Sequence, residues 1–242
     1  YEIKFKDPAG HVFSRIRAKD ELRVGWQYVK RDEAEVEKEQ YHESLVVNEK
    51  HSQKTQTPTR LIDLAGIASA LAPRGFDSKE ILATYQKMYE AQIVSYPRTE
   101  DRTITPEQFN ELLPFVDQIA DLLSVDKALL THRMPRATHV RIGGTHGANR
   151  PGTHIPNQLA QLDRFGQSAQ AIYQIVGKNY LAMLAEDYVY DHITANLKDY
   201  PTFKTAYNEP VALNFKLIYN ADLEVDTAPI NGSLGPMANP FI

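Results

Sequence analysis

Hydrophobic and polar residues alternate in short stretches at the start of the chain. In residues 1–57 the alternation at Ile3 and Phe5 runs into a turn signal, DPAG at 7–10, which predicts β structure. Further predicted strands cover 12–13, 22–29 with Trp26 packed among them, and 45–47. Residues 31–40 (RDEAEVEKEQ) form a run of charges, which we interpret as a solvated connection.

From Thr59 the apolar spacing changes to three and four residues, which is typical of helices. One shared face is formed by Leu61, Leu64, Ala65, Ala68 and Leu71. Asp77 with Glu80, and Thr105 with Gln108, have the spacing of capping boxes that begin two more helices. Pro114 predicts a break in the second of these, and a last helix is predicted over 168–187.

The period returns to two after that helix. Predicted strands cover 189–197 and 203–207, and the most regular alternation lies at 211–219. The order is therefore β, helices, β. It predicts an α+β fold in which a helical domain, 58–187, is inserted into a discontinuous antiparallel β domain made of 1–57 and 188–242.

Composition narrows the class of protein. The 242 residues are 42% hydrophobic, as in a folded globular chain, and contain no cysteine, which excludes disulfides, zinc ribbons, iron–sulfur clusters and thiol nucleophiles. No apolar run approaches the roughly 20 residues of a membrane span, and residues 1–4 (YEIK) do not have the pattern of a signal peptide. We therefore expect a soluble, cytoplasmic protein without a membrane partner. Because the chain begins at Tyr1 inside an alternating stretch, we also expect a piece of a larger protein.

Charge is distributed unevenly. The net charge is −4, yet the stretch between Asp126 and Asp163 has no acidic residue and carries five Lys or Arg and four His. This local excess predicts a site for a phosphate backbone, with chance clustering in a turn-rich loop as the alternative. Interspersed proline and glycine prevent one helix from aligning the histidines, and no carboxylate is near, so no metal site is predicted there.

The segment Ser95-Tyr96-Pro97-Arg98 has candidate chemistry. Pro97 forces extended geometry on Tyr96, and residues i and i+2 of an extended segment point the same way, so Tyr96 and Arg98 share a face. A phenol can attack a phosphodiester while a guanidinium holds its non-bridging oxygens. The ordinary alternative is a surface loop whose ring packs on the core.

Two blocks of sequence resemble a known family. LIDLAGIASAL at 61–71 and GFDSKEILATYQKMYEAQIVSYPRTEDR at 75–102 resemble the active-site region of type IA DNA topoisomerases, and THGANRP at 145–151 resembles the family's histidine motif. The resemblance implies that Tyr96 is the nucleophile, that Arg98 stabilises the phosphate, and that His146 contacts the scissile-phosphate region. The fold it implies is the type IA topoisomerase arch.

The chain departs from the family pattern beside both motifs. Glu100-Asp101 stands where the family usually has Asp-Ser, and Gly147 and Asn149 stand where it has Glu and Ile. The family's Toprim domain, which binds Mg²⁺, has no counterpart here, so we expect no metal in this fragment and no activity from it alone. Four further basic residues are expected to line the DNA groove: Arg150, Arg141, Arg136 and His154.

The function implied by the resemblance is transient cleavage of one DNA strand through a 5′-phosphotyrosine linkage, followed by passage of another strand. The expected partners are single-stranded or underwound DNA and the Toprim and remaining domains of the parent chain, in a prokaryotic cytoplasm. One alternative is a catalytically inactive single-stranded-DNA-binding module of the same fold. A tyrosine recombinase or relaxase is disfavoured, because Tyr96 precedes His146 and no closely spaced histidine pair occurs.

Overall fold

The computed structural model describes residues 1–15, 30–143, 146–223 and 234–242. The predicted strand at 22–29 and Trp26 lie outside the described residues. The chain divides into two compact units. The β unit comprises 1–55, 189–212 and 224–242, and the helical unit comprises 56–188 and 213–223. The described part is thus a mixed α and β protein.

The strands of the β unit close into a barrel in the order β1-β2-β5-β4-β3-β6. Their bounds are β1 Lys4–Lys6, β2 Val12–Arg15, β3 Ser44–Gln56, β4 Tyr188–Leu197, β5 Phe203–Ala212 and β6 Met237–Phe241. The strands predicted at 189–197 and 203–207 are confirmed, and they pair with each other as an antiparallel hairpin with Ile193 opposite Tyr207. Inward-facing side chains such as Phe5, Phe13 and Phe203 are fully buried and form the core of the barrel, as the period of two predicts.

The charge run at 31–40 is mostly exposed, as predicted for a solvated segment, but Arg31–Lys38 forms helix α1 instead of an irregular connection. Asp32 and Glu33 lie in the first turn and Lys38 lies in the last, which suits the helix dipole. Arg31 pairs with Glu35 one turn later at 2.8 Å. Ala34 is buried. A single small apolar contact is too weak a sequence signal to reveal this helix.

The helical unit contains six α-helices within the described residues. They are α2 Leu64–Leu71, α3 Ser78–Glu90, α4 Pro106–Leu112, α5 Val116–Leu122, α6 Ala169–Ala182 and α7 Lys216–Tyr219. In the described part of the chain, no helix is both long and apolar enough to cross a bilayer. Helix α6 buries residues all round its circumference, including Tyr173, Val176 and Tyr180, and is the centre of this unit's core.

The helix starts follow the predicted capping residues. Thr105 and Gln108 form a complete capping box, and a 3-10 turn, Leu113–Phe115, separates α4 from α5 at the predicted break. Asp77 caps α3 through its carboxylate. The reciprocal half of that box is absent, because the Glu80 carboxylate instead accepts from Thr84 Oγ1 and Ser168 N–H.

The strand predicted over 211–219 is wrong beyond Ala212. β5 ends there, and residues 213–223 belong to the helical unit, with α7 inside them. Asn214 has a φ of +46°, which interrupts an extended strand, and its Nδ2 donates to the Asp187 carbonyl at 2.6 Å. Phe215 and Ile218 are three residues apart and both are buried, as on one face of a helix.

Candidate active site at the tyrosine loop

Two loops are joined by main-chain hydrogen bonds. The tyrosine loop, 92–101, follows α3, and the histidine loop spans 146–154. Ser95 N–H donates to the Arg150 carbonyl at 3.0 Å, and Gly152 N–H donates to the Ile93 carbonyl at 2.8 Å. The Arg150 N–H in turn donates to Ser95 Oγ at 3.1 Å. This short antiparallel pairing fixes the extended geometry predicted for the residues before Pro97.

The pairing brings Tyr96 and His146 together. Their ring centroids are 4.4 Å apart with the planes tilted by 37°. The Tyr89 ring also contacts the Tyr96 ring edge-on, with the centroids 5.5 Å apart. Tyr96 is partly exposed and His146 is exposed. Two residues that are distant in sequence therefore share one accessible aromatic cluster.

Arg98 is exposed while the intervening Pro97 is buried. Within the described residues the Arg98 guanidinium makes no ion pair or hydrogen bond, and the Tyr96 hydroxyl has no hydrogen-bond partner. A free phenol and a free guanidinium two residues apart can bind and react with an anionic phosphodiester without first breaking internal contacts.

Asn149 fixes the main chain of Tyr96, a role that sequence reasoning missed. It is fully buried, and its Nδ2 donates to the Tyr96 carbonyl at 3.0 Å and to the Tyr85 hydroxyl at 2.8 Å. Burial raises the pKa of Tyr85, so this hydroxyl stays protonated. The one signal in the sequence was the amide itself, which replaces an apolar residue of the family motif.

Gly147 is likewise explained by its surroundings. Its φ is +71°, and the Gln108 side chain packs so closely that a Cβ there would clash. Its N–H donates to Asp101 Oδ2 at 3.1 Å, while Gln108 Nε2 donates to the His146 carbonyl at 3.1 Å. The departures at 101 and 147 therefore form one hydrogen-bonded set.

The structure places Arg150 inside the histidine loop. Its side chain is buried, and Nη1 donates to the carbonyls of His146 at 3.3 Å and Ala148 at 3.2 Å. Desolvation lowers the pKa of Arg150, although the group remains charged. These contacts hold the loop that carries His146, and a DNA contact by Arg150 remains a prediction.

Arg136 is engaged at the C-terminal end of α6. Nη1 pairs with Asp187 at 2.7 Å, Nε donates to the Met183 carbonyl at 3.0 Å, and Nη2 donates to the Ala185 carbonyl. A cation among the last carbonyls of a helix stabilises that terminus. The contacts of Arg136 therefore stabilise the end of α6.

Arg141 and His154 are the two exposed members of the predicted basic set. Arg141 uses Nε on the Ala137 carbonyl at 3.0 Å. The main-chain N–H of His154 donates to the Gln92 carbonyl at 3.2 Å, beside the tyrosine loop. Their contact with DNA remains a prediction.

The segment 59–62, which precedes α2, is held in place by hydrogen bonds to its main-chain carbonyl groups. Each of its four carbonyls accepts a hydrogen bond: Thr59 from His139 Nε2 at 2.8 Å, Arg60 from Asn179 Nδ2 at 3.3 Å, Leu61 from Arg102 Nε at 3.2 Å, and Ile62 from Asn149 N–H at 3.0 Å. Three of these donors are side chains. The segment is therefore fixed without belonging to a helix or strand.

Side chains of the kind that bind metal ions do not cluster in the described residues. No group of three or more His, Cys, Asp or Glu in the described ranges is placed to hold one. His139 is buried and bonded to the Thr59 carbonyl and to Thr138 Oγ1. Desolvation, with the nearby Arg136 and Arg60, lowers the pKa of His139, so the imidazole is neutral near pH 7.

The family model for DNA topoisomerase matches residues 4–234. The chain therefore belongs to this DNA topoisomerase family and carries a type IA topoisomerase domain. No curated protein was found to match the sequence.

Among solved structures, the fold is similar to that of full-length topoisomerase I from Thermotoga maritima, with a TM-score of 0.61 and 14% sequence identity. The match covers 99% of this chain and 39% of that one. At this identity the likeness concerns the fold.

Proposed function

We propose that Tyr96 is the nucleophile of a type IA DNA topoisomerase. Its Oη attacks a phosphorus of one DNA strand, forming an O–P bond while the bond from phosphorus to the 3′ oxygen breaks. The phenol loses its proton, and the departing 3′ oxygen gains one. The product is a 5′-phosphotyrosine. After another strand has passed, the 3′ hydroxyl attacks the same phosphorus and restores the phenol. The ester conserves the energy of the broken bond, so no ATP is needed.

The observation that carries this proposal is the contact between the rings of Tyr96 and His146 beside the unpaired guanidinium of Arg98. Arg98 holds the non-bridging oxygens, where negative charge increases as phosphorus is attacked. His146 is proposed to contact the same phosphate from its place beside the tyrosine ring. The substrate is single-stranded or underwound DNA, and the setting is a prokaryotic cytoplasm.

Mg²⁺ belongs to the proposal only as a group bound elsewhere. The described residues contain no cluster suited to it, so we assign it to a Toprim domain in the rest of the protein. We therefore expect the 242-residue chain alone to bind single-stranded DNA weakly and to leave supercoiled plasmid unchanged.

The test is a covalent-adduct assay on the longest protein that contains this chain. The protein is incubated with Mg²⁺ and an oligonucleotide carrying different dyes at its two ends, then quenched in denaturant and run on a gel. A 5′-phosphotyrosine keeps the 3′-end dye on the protein and releases the 5′-end dye. Tyr96→Phe should abolish the adduct. Tyr89→Phe, a neighbouring tyrosine that contacts Tyr96, is the matched control and should retain it.

The alternative is an inactive module of the same fold that binds single-stranded DNA, and the reason to consider it is the change of residue at Glu100 and Gly147. Binding of the oligonucleotide without an adduct would support this module. An adduct that survives in Tyr96→Phe would show that another tyrosine is the nucleophile.

A further inference from the structure

The helical unit contains a cavity whose lining does not include the tyrosine loop. This cavity of about 660 Å³ is lined by residues of α2, α6 and α7 and by the segment 59–62. Its volume is within the range of small-molecule sites, roughly 300–1,000 Å³.

The cavity is positively charged. Arg74, Lys178 and Lys216 line it, and no acidic residue does, although the whole chain carries a net charge of −4. None of the three forms an ion pair within the described residues. Lys216 Nζ lies 3.4 Å from the centroid of the Tyr188 ring. Uncompensated cations around a cavity favour an anionic ligand.

The same cavity presents an aromatic ring and amide groups. Tyr219 is 39% exposed, and its hydroxyl is held by Asn179 Nδ2 at 3.2 Å and by Thr59 Oγ1 at 3.3 Å. Asn179 is 6% exposed, and its Oδ1 has no hydrogen-bond partner within the described residues. A ring fixed at its hydroxyl offers its face for stacking, and the amide oxygen is an acceptor for an N–H group.

We propose that this cavity binds one nucleotide of a single DNA strand, with the base on Tyr219 and the phosphates on Arg74 and Lys178. A nucleotide combines the three properties that the lining complements: negative charge, a planar π system and N–H donors. An acidic peptide would satisfy the cations and leave the ring unused. The inference requires that the chain binds DNA, which is part of the proposed function, and does not require cleavage at Tyr96.

The first test measures binding in a Tyr96→Phe background, so that cleavage plays no part. Anisotropy of a fluorescein-labelled oligo(dT) is followed as salt is raised. Arg74→Gln with Lys178→Gln should weaken binding and reduce the slope of log K against log salt by about 1.4, for two lost contacts to single-stranded phosphates. Lys79→Gln with Arg164→Gln removes two exposed cations of the helical unit that do not line the cavity, and should leave the slope unchanged.

The second test concerns the ring. Tyr219→Leu should weaken binding by about tenfold, while Tyr219→Phe, which keeps the ring but loses the hydrogen bonds of its hydroxyl, should weaken binding less. An oligonucleotide with 5-iodouracil should crosslink to the 216–219 segment, as mapped by mass spectrometry, and fail to do so in Tyr219→Leu.

Equal slopes for the cavity pair and the control pair, or crosslinks only outside the cavity lining, would overturn the inference. Displacement of the crosslink by poly-glutamate but not by unlabelled oligo(dT) would show that an acidic peptide is the ligand instead. The adduct assay on the parent sequence reports on Tyr96 separately, so each proposal can fail while the other stands.

Discussion

The Asn149 side-chain amide and the Tyr96 main-chain carbonyl are joined by a 3.0 Å hydrogen bond, and the same amide nitrogen reaches the buried Tyr85 hydroxyl at 2.8 Å. The reactive side chain of Tyr96 is therefore free while its main chain is anchored to the core. Such an arrangement holds a nucleophile in position without using the group that reacts.

Replacing Asn149 tests this anchor. Asn149→Leu keeps the branched shape of the side chain but leaves the Tyr96 carbonyl and the Tyr85 hydroxyl without their donor, so we expect the free energy of unfolding to fall by about 1–3 kcal/mol. Adduct formation should slow while oligonucleotide binding is retained, because Tyr96 would lose its fixed position. Tyr85→Phe removes only the second partner and should preserve the adduct rate. Similar rates for Asn149→Leu and the parent would exclude a positioning role.

Arg98 is expected to matter for chemistry and not for folding. Arg98→Ala removes an exposed guanidinium without an internal partner, so the melting temperature should stay within error while the adduct rate falls by about 10²-fold. Arg98→Lys keeps the charge but loses the planar guanidinium that can bind two oxygens, so its adduct rate should lie between those of the parent and of Arg98→Ala. Single-turnover gels give the rates. An unchanged rate in Arg98→Ala would remove Arg98 from the site.

The buried His139 makes stability depend on pH. Its pKa is lowered in the folded state, so the unfolded chain binds the proton more tightly as the pH falls through the ordinary histidine value of about 6.5. The stability that the neutral ring contributes is present above that pH and is lost below it. Denaturant melts between pH 7.5 and 5.5 should show this loss. His139→Gln, whose amide can still donate to the Thr59 carbonyl, should flatten the dependence within this window.

Substitutions of Arg136 and Arg141 should distinguish a role in stability from a role in DNA binding. Arg136→Gln leaves Asp187 and the end of α6 without their cation, and should lower the melting temperature without changing the salt slope of oligonucleotide binding. Arg141→Gln removes an exposed charge, and should reduce that slope by about 0.7 with no effect on melting. The reverse pattern would mean that the two roles have been exchanged.

Local sequence signals predicted local structure well. Thr105 with Gln108 carries its capping information within one turn, and Pro114 interrupts a helix when it falls in the interior, so both signals could be recognised without knowledge of the fold. The approach of His146 to Tyr96 followed from the resemblance of two motifs and not from any local rule.

The errors come from contacts that are distant in sequence. Arg136 donates to the carbonyls of Met183 and Ala185, partners that a count of local charge cannot detect. The DNA contacts expected of Arg136 and Arg150 stay predictions. The alternation at 211–219 is consistent with a strand when only the sequence is considered. In the structure, Asn214 bonds to the Asp187 carbonyl and Phe215 is buried in the core of the helical unit, so the strand does not continue. Tertiary contacts overrode the pattern there.

The segment 59–62, whose four carbonyls all accept hydrogen bonds, has a consequence for where a DNA strand would be cut. Thr59 and Ile62 line the cavity around Tyr219, and the Ile62 carbonyl accepts from Asn149, which in turn holds Tyr96. A nucleotide bound in the cavity and a phosphate at Tyr96 would then both be positioned by the same short backbone segment. The number of nucleotides between them would be constant, so the protein would cut at a set distance from the nucleotide it grips, whatever the bases in between.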